Sequence, residues 1–218
     1  MGASTRVGVL FLGLILVAAC SSSSSPSPSS VEVASPTAAS PTAMLSVSPS
    51  VSATTFKVPP VKPTESYNSK DHGFQFEYPG KWTVQDAGGT CKVTVCVFAP
   101  AQDGQVPAAI AVNVITWNTP TNLQTAWNTQ RQSAINSWGV QPRTVAGTQG
   151  NTTLAGQQAK TATYTLNWGL FPATARQTMI LNSEGTSATI LSEISSTSIW
   201  SDLEPTFTQV EDSFTVSG

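Results

Sequence analysis

Residues 21–64 contain 27 Ser, Thr or Pro out of 44, with only Glu32, Lys57 and Lys62 charged. A stretch of that composition buries too little apolar surface to offset the entropy of ordering it, so no compact structure is expected there. All six tryptophans (Trp82, Trp117, Trp127, Trp138, Trp168 and Trp200) lie beyond it. The 218-residue chain therefore reads as one folded domain over 65–218 behind a disordered tether over 20–64. A mixed Pro/Ser tether of this length reaches on the order of 35 Å root-mean-square and at most ~140 Å when stretched.

The tether is preceded by an export signal. Arg6 supplies one positive charge, Val7 to Val17 form an apolar run, and Leu16-Val17-Ala18-Ala19-Cys20 ends it. The run is too short for a settled membrane-spanning helix, which needs about 20 residues, and small side chains before a cysteine suit a peptidase with a narrow substrate path. This order resembles the bacterial lipobox. The resemblance implies cleavage after Ala19 and acylation of Cys20, so that lipid chains hold the protein at a membrane of the cell envelope, on its extracytoplasmic side. A plain secretory signal with an incidental Cys20 is the alternative. Without Arg6 the mature chain carries nine basic and twelve acidic residues, a net charge of −3. Such a body has no basic face for phosphates, and nucleic acid is not an expected partner.

From Glu65 onward the pattern changes to alternation. Phe74-Gln75-Phe76-Glu77-Tyr78 puts three aromatics on one face of a strand, and Pro79-Gly80 supplies a turn before Trp82-Thr83-Val84. Further strands are expected over Val93–Phe98, Ala109–Trp117, Lys160–Trp168, Arg176–Leu181 and Ser187–Glu193, the last two joined by the turn residues Asn182-Ser183-Glu184-Gly185. Two segments carry helical spacing instead. Leu123, Ala126, Trp127, Gln130, Ala134, Ile135 and Trp138 form one stripe, with Thr119 as the expected cap and Pro120 at the first helical position. Leu203, Phe207, Val210 and Phe214 form the other, behind the capping box Ser201-Asp202-Leu203-Glu204. Strands, helix, strands and helix in that order give an α+β class, an antiparallel sheet flanked by helices.

The run Asp71-His72-Gly73-Phe74-Gln75-Phe76-Glu77-Tyr78-Pro79-Gly80-Lys81-Trp82, the helix after a strand, the hairpin start Thr153-Leu154-Ala155-Gly156 and the closing Val210-Glu211-Asp212-Ser213-Phe214 resemble the PsbP-like superfamily. That family includes PsbP, the Mog-type proteins and LpqN-like bacterial lipoproteins. The resemblance spans about 150 residues and rests on packing signatures. It implies an α/β/α sandwich used as a non-catalytic binding module, and it transfers no site residues.

Motifs that carry chemistry are sparse. The lone histidine, His72, excludes a site needing two imidazoles, and beside Asp71 it reads as an exposed loop residue. No Gly-x-Ser-x-Gly, Gly-x-Gly-x-x-Gly or Walker pattern occurs, and no cofactor or metal ligand set is expected. Asp202, Glu204, Glu211 and Asp212 read as a solvated acidic helix face. Cys91 and Cys96 are the thiols left after lipidation, and in an oxidising compartment a disulfide is expected. Five residues of straight strand would hold their Cα atoms ~17 Å apart, so a bridge requires the chain to fold back between Lys92 and Val95. Two buried thiols are the alternative.

Tryptophan in surplus is the remaining signal. Trp117, Trp138 and Trp200 sit at the ends of elements, and Trp168-Gly169-Leu170-Phe171-Pro172 occupies a hairpin tip. Trp168, Phe171, Trp117, Trp138 and Trp200 are therefore the candidate binding residues, with Trp168 and Phe171 expected as an exposed apolar contact. The functional expectation is a lipid-anchored binding domain for an envelope protein or a small apolar ligand. An extracytoplasmic hydrolase with an unidentified serine and carboxylate, or a structural envelope protein, are the other readings.

Overall fold

The computed structural model describes residues 55–131, 143–144 and 148–217. Cys20 and Trp138 lie outside them. An antiparallel sheet dominates, built from β3 (Thr83–Gly88), β4 (Cys91–Phe98), β5 (Ala108–Thr116), β6 (Arg143–Thr144), β7 (Gly150–Leu154), β8 (Gln157–Trp168), β9 (Phe171–Leu181) and β10 (Ser187–Ser196). Its order is β3-β4-β5-β10-β9-β8-β6, with β7 also paired to β8. A small second sheet has the order β1-β2-β11, from β1 (Glu65–Ser69), β2 (Phe74–Tyr78) and β11 (Thr215–Val216). Helix α1 covers Leu123–Gln130; a 3-10 turn at Thr197–Ile199 leads into α2 (Trp200–Ser213).

Residues opposite one another in an antiparallel ladder share a face. Arg176 pairs with Glu193, Glu193 with Ile110, and Ile110 with Val97, so these four point the same way. Arg176 reaches Glu204 and Glu211 of α2, which makes this the α2 face. Leu203, Phe207 and Val210 are fully buried on it, as the helical spacing predicts. The same helix lies against β2, where Phe74, Phe76 and Phe214 stack with ring centroids 5.8–6.3 Å apart. The other face runs through Tyr164, Ala175, Ile194, Ala109 and Phe98. Helix α1 lies against β8 and β9 and seats Ala126 and Trp127 in the core.

Both helix starts differ from expectation. Asn122, not Thr119, caps α1, its side chain accepting from the Thr125 amide at 2.9 Å. Thr121 N donates to Gly185 O, which holds residues 119–121 against the β9–β10 turn until a better cap arrives. The Ser201 capping box does not form: the 3-10 turn starts α2 at Trp200, Ile199 holds the cap position without a side-chain bond, and Pro205 falls beyond the first turn.

The domain also starts earlier than residue 65. Phe56 is 3% exposed and its ring meets Phe171 edge-on at 4.8 Å; Val58 is buried as well. The Lys57 backbone pairs with the Gln102 side chain, and the Val61 amide donates to Thr206 of α2. The last ten residues assigned to the tether thus include a strap across the end of the sheet.

Candidate binding cleft

Cys91 and Cys96 are disulfide-bonded, with Cα atoms 5.7 Å apart. The fold-back that this demands is present. Gly88 pairs with Cys91 and Asp86 with Val95, so one residue of β3 faces three of β4, Lys92 to Thr94. β4 bulges there, and the Thr94 hydroxyl accepts from the Val114 amide to tie the bulge to β5. The bridge places Lys92 on the exposed rim of the face opposite α2, beside Cys96.

That rim borders a cleft of about 620 Å³. Cys96, Phe98, Ala109 and Ala111 form its floor; the alanines keep it low, since any larger side chain there would fill the space. One wall is the Ala99–Val106 loop and the other the β8–β9 tip. Trp168 pairs directly with Phe171, and Gly169, at φ +62, makes the two-residue turn between them. Among the lining residues Lys92 is the one ionisable group. Gln105 Oε1 is buried in the wall with no hydrogen-bond partner, an acceptor whose desolvation is uncompensated.

Two expectations change accordingly. Trp168 and Phe171 do not form an exposed contact: Phe171 is 7% exposed and held by Phe56, and Trp168 is half-buried. The protruding side chain at the tip is Leu170, 81% exposed, at the rim of the cleft. Nor do Trp168, Phe171, Trp117 and Trp200 share one patch. Trp117 is at the opposite end of β5, half-buried, donating from Nε1 to Gly185 O at 2.8 Å. Trp200 lies on the α2 face, tilted on Phe207 at 5.3 Å and 6.0 Å from the Arg176 guanidinium. His72 is exposed on the β1–β2 turn, as expected.

A second polar centre, not anticipated, is buried under α2. The Arg176 guanidinium contacts Glu193 at 2.8 Å, Glu211 at 3.1 Å and Glu204 at 3.8 Å. Glu204 and Glu211 are therefore not simply a solvated face. Burial, opposed by Arg176 and reinforced by Glu211, pushes the Glu193 carboxyl up to about 8. The sequence signal was a charged residue of opposite sign in each of two apolar, hairpin-linked strands. Under α1, Trp127 Nε1, Tyr164 Oη and Gln177 Oε1 are also buried without partners, and burial pushes the Tyr164 phenol up to about 12.

The chain matches no family model and no curated protein by sequence. Its fold does match solved structures. The cyanobacterial PsbP (CyanoP) of Synechocystis sp. PCC 6803 aligns over 75% of this chain and 98% of its own, at 16% identity and a TM-score of 0.50. The fold is PsbP-like. LpqN, involved in cell envelope biogenesis of Mycobacterium tuberculosis, aligns with this PsbP-like domain over 71% of the chain and 90% of its own, at 13% identity and a TM-score of 0.53. Among the described residues no helix is long and apolar enough to cross a membrane, and no cluster of three or more His, Cys, Asp or Glu is placed to hold a metal ion.

Proposed function

We propose that this protein is a lipid-anchored, extracytoplasmic binding module whose PsbP-like domain takes an apolar guest in the cleft without catalysis. The observation that carries the reading is the cleft itself: about 620 Å³, floored by Cys96, Phe98 and two alanines, with a stranded acceptor on Gln105. That volume is in the ~300–1,000 Å³ range of small-molecule sites, and a few placed polar groups in an apolar lining are what orient a guest. The part that LpqN plays in cell envelope biogenesis supports the location, and the Ala18-Ala19-Cys20 signal supports acylation at Cys20. A hydrolase would need a nucleophile bonded to a base in the lining, and the Thr90 hydroxyl near Lys92 instead donates to Gln85 Oε1 at 2.7 Å.

Two measurements test this. Metabolic labelling with palmitate and membrane fractionation compare the native chain with Cys20→Ala; normal membrane retention of the variant refutes the anchor. Lipid extraction and mass spectrometry of the purified protein then ask what the cleft carries. Leu170→Asp puts a charge on the cleft wall without touching the core, and is expected to lower the yield of any co-purified apolar molecule at least several-fold. An unchanged yield would place the guest elsewhere.

A further inference from the structure

The cleft is apolar along most of its length but charged at one place. Lys92 and Thr90 lie where β4 leaves the β3–β4 turn, whereas Phe98, Trp168 and Leu170 lie toward the other end of the strands. β3 contributes Thr83, opposite Phe98, and the Cys91–Cys96 bridge brings Lys92 beside Cys96, two residues along β4 from Phe98. The site is thus polarised: the cation at one end, aromatics and Leu170 at the other. No carboxylate lines it, and Lys92 has no ion-pair partner among the described residues. The Cys91–Cys96 bridge fixes the bulge from which Lys92 projects, so the cation is held at the cleft and not left on a free loop.

Resting on the proposed function of the cleft, we infer that its guest is a single-chain anionic amphiphile, with the carboxylate or equivalent anion at Lys92 and the alkyl chain over Ala109, Ala111 and Phe98 toward Trp168. Charge complementarity selects this class. A cationic headgroup would meet an unopposed ammonium, and a neutral one would leave Lys92 without a counter-charge while the alkyl chain gained the same burial. The anion's share falls with added salt, because Lys92 is exposed; the alkyl share does not.

The mature chain carrying Cys20→Ala, which removes its own acyl groups, is titrated calorimetrically with dodecanoate, dodecanol and dodecyltrimethylammonium below their aggregation limits. Dodecanoate is expected to bind about tenfold tighter than dodecanol and more tightly still than the cation, a tenfold ratio corresponding to ~1.4 kcal/mol. Lys92→Gln, a surface change, is expected to bring dodecanoate down to dodecanol, and Leu170→Asp to weaken both. If dodecanol and dodecanoate bind equally in the native chain, or if Lys92→Gln leaves their ratio unchanged, the anionic assignment is wrong while the apolar cleft stands. If none of the three binds, the proposed function of the cleft falls with it.

Discussion

Arg176 and Glu193 stand directly opposite each other in the β9–β10 ladder, joined from Nε to Oε2 at 2.8 Å, with the Glu193 side chain 1% exposed. One guanidinium there faces three carboxylates, and the innermost of them, Glu193, sheds the excess charge by keeping its proton up to about 8. An unfolded glutamate titrates at ~4.3, so between about pH 4.3 and 8 the folded chain binds a proton that the unfolded chain releases. The stability from this group is fully present below the unfolded value and declines as pH rises through that window. Glu193→Gln keeps an acceptor for Arg176 and removes the titration. Urea midpoints measured from pH 5 to 9 are expected to fall for the native chain and to fall distinctly less for the variant; parallel curves would show that Glu193 does not titrate in this window.

Arg176→Met leaves the carboxylates beneath α2 without their cation. Breaking a buried pair from one side costs roughly 3 kcal/mol. Thermal unfolding is expected to show a loss of that order at pH 8, smaller at pH 5, where more of the carboxyls are protonated; equal losses at both values would point to packing alone.

Reducing the Cys91–Cys96 bridge, or replacing both residues by Ser, opens a six-residue loop. The loop-entropy relation assigns such a bridge about 2 kcal/mol. Chemical denaturation with and without reductant measures it. The Lys92 bulge loses its clamp at the same time, so dodecanoate affinity is expected to fall with the reduction while dodecanol affinity holds.

Phe56 sits in the core although it follows a Ser/Thr/Pro-rich stretch. Phe56→Ala is expected to cost about 3 kcal/mol, the usual range for an aromatic deleted from a core. A chain beginning at Glu65 should unfold at a correspondingly lower temperature than one beginning at Ser50. Identical melting curves would mean that the strap adds nothing.

Gly185 closes the β9–β10 turn at φ +71, and a Cβ there would lie 2.5 Å from Thr121 O. Its carbonyl also accepts from Trp117 Nε1 and Thr121 N. Gly185→Ala is expected to destabilise by at least ~1 kcal/mol through backbone strain and the clash together, where Trp117→Phe loses only one hydrogen bond, worth ~1 kcal/mol. Denaturation midpoints of the two variants rank them, and a neutral Gly185→Ala would show that the turn relaxes.

Strand pattern was the most legible part of the chain. Period-two alternation over Phe74–Tyr78 and Ala162–Trp168 and helical spacing over Leu203–Val210 each survive in the structure, because each reports which side of one element meets the core; Phe214 is buried too, but as the extended residue that ends the helix. Boundaries and caps were less legible. Asn122 displaced Thr119 because the hydrogen bond from Thr121 to Gly185, 64 residues later, holds that segment against the β9–β10 turn. β1 and β11 carry little apolar pattern, being short strands at the edges of a small sheet.

What the sequence by itself determined is the α+β class and which faces of its strands and closing helix meet the core. Composition and period are local properties, and those conclusions need nothing else. Only the tertiary structure decided where a cleft opens. Ala109 and Ala111, Lys92, and Leu170 come from three separate segments and meet because β4 pairs with β5 while the β8–β9 tip ends beside them. The same holds for the four charged groups under α2, which are drawn from two strands and a helix. Strand register sets both meetings, and register depends on pairings between residues far apart in the chain.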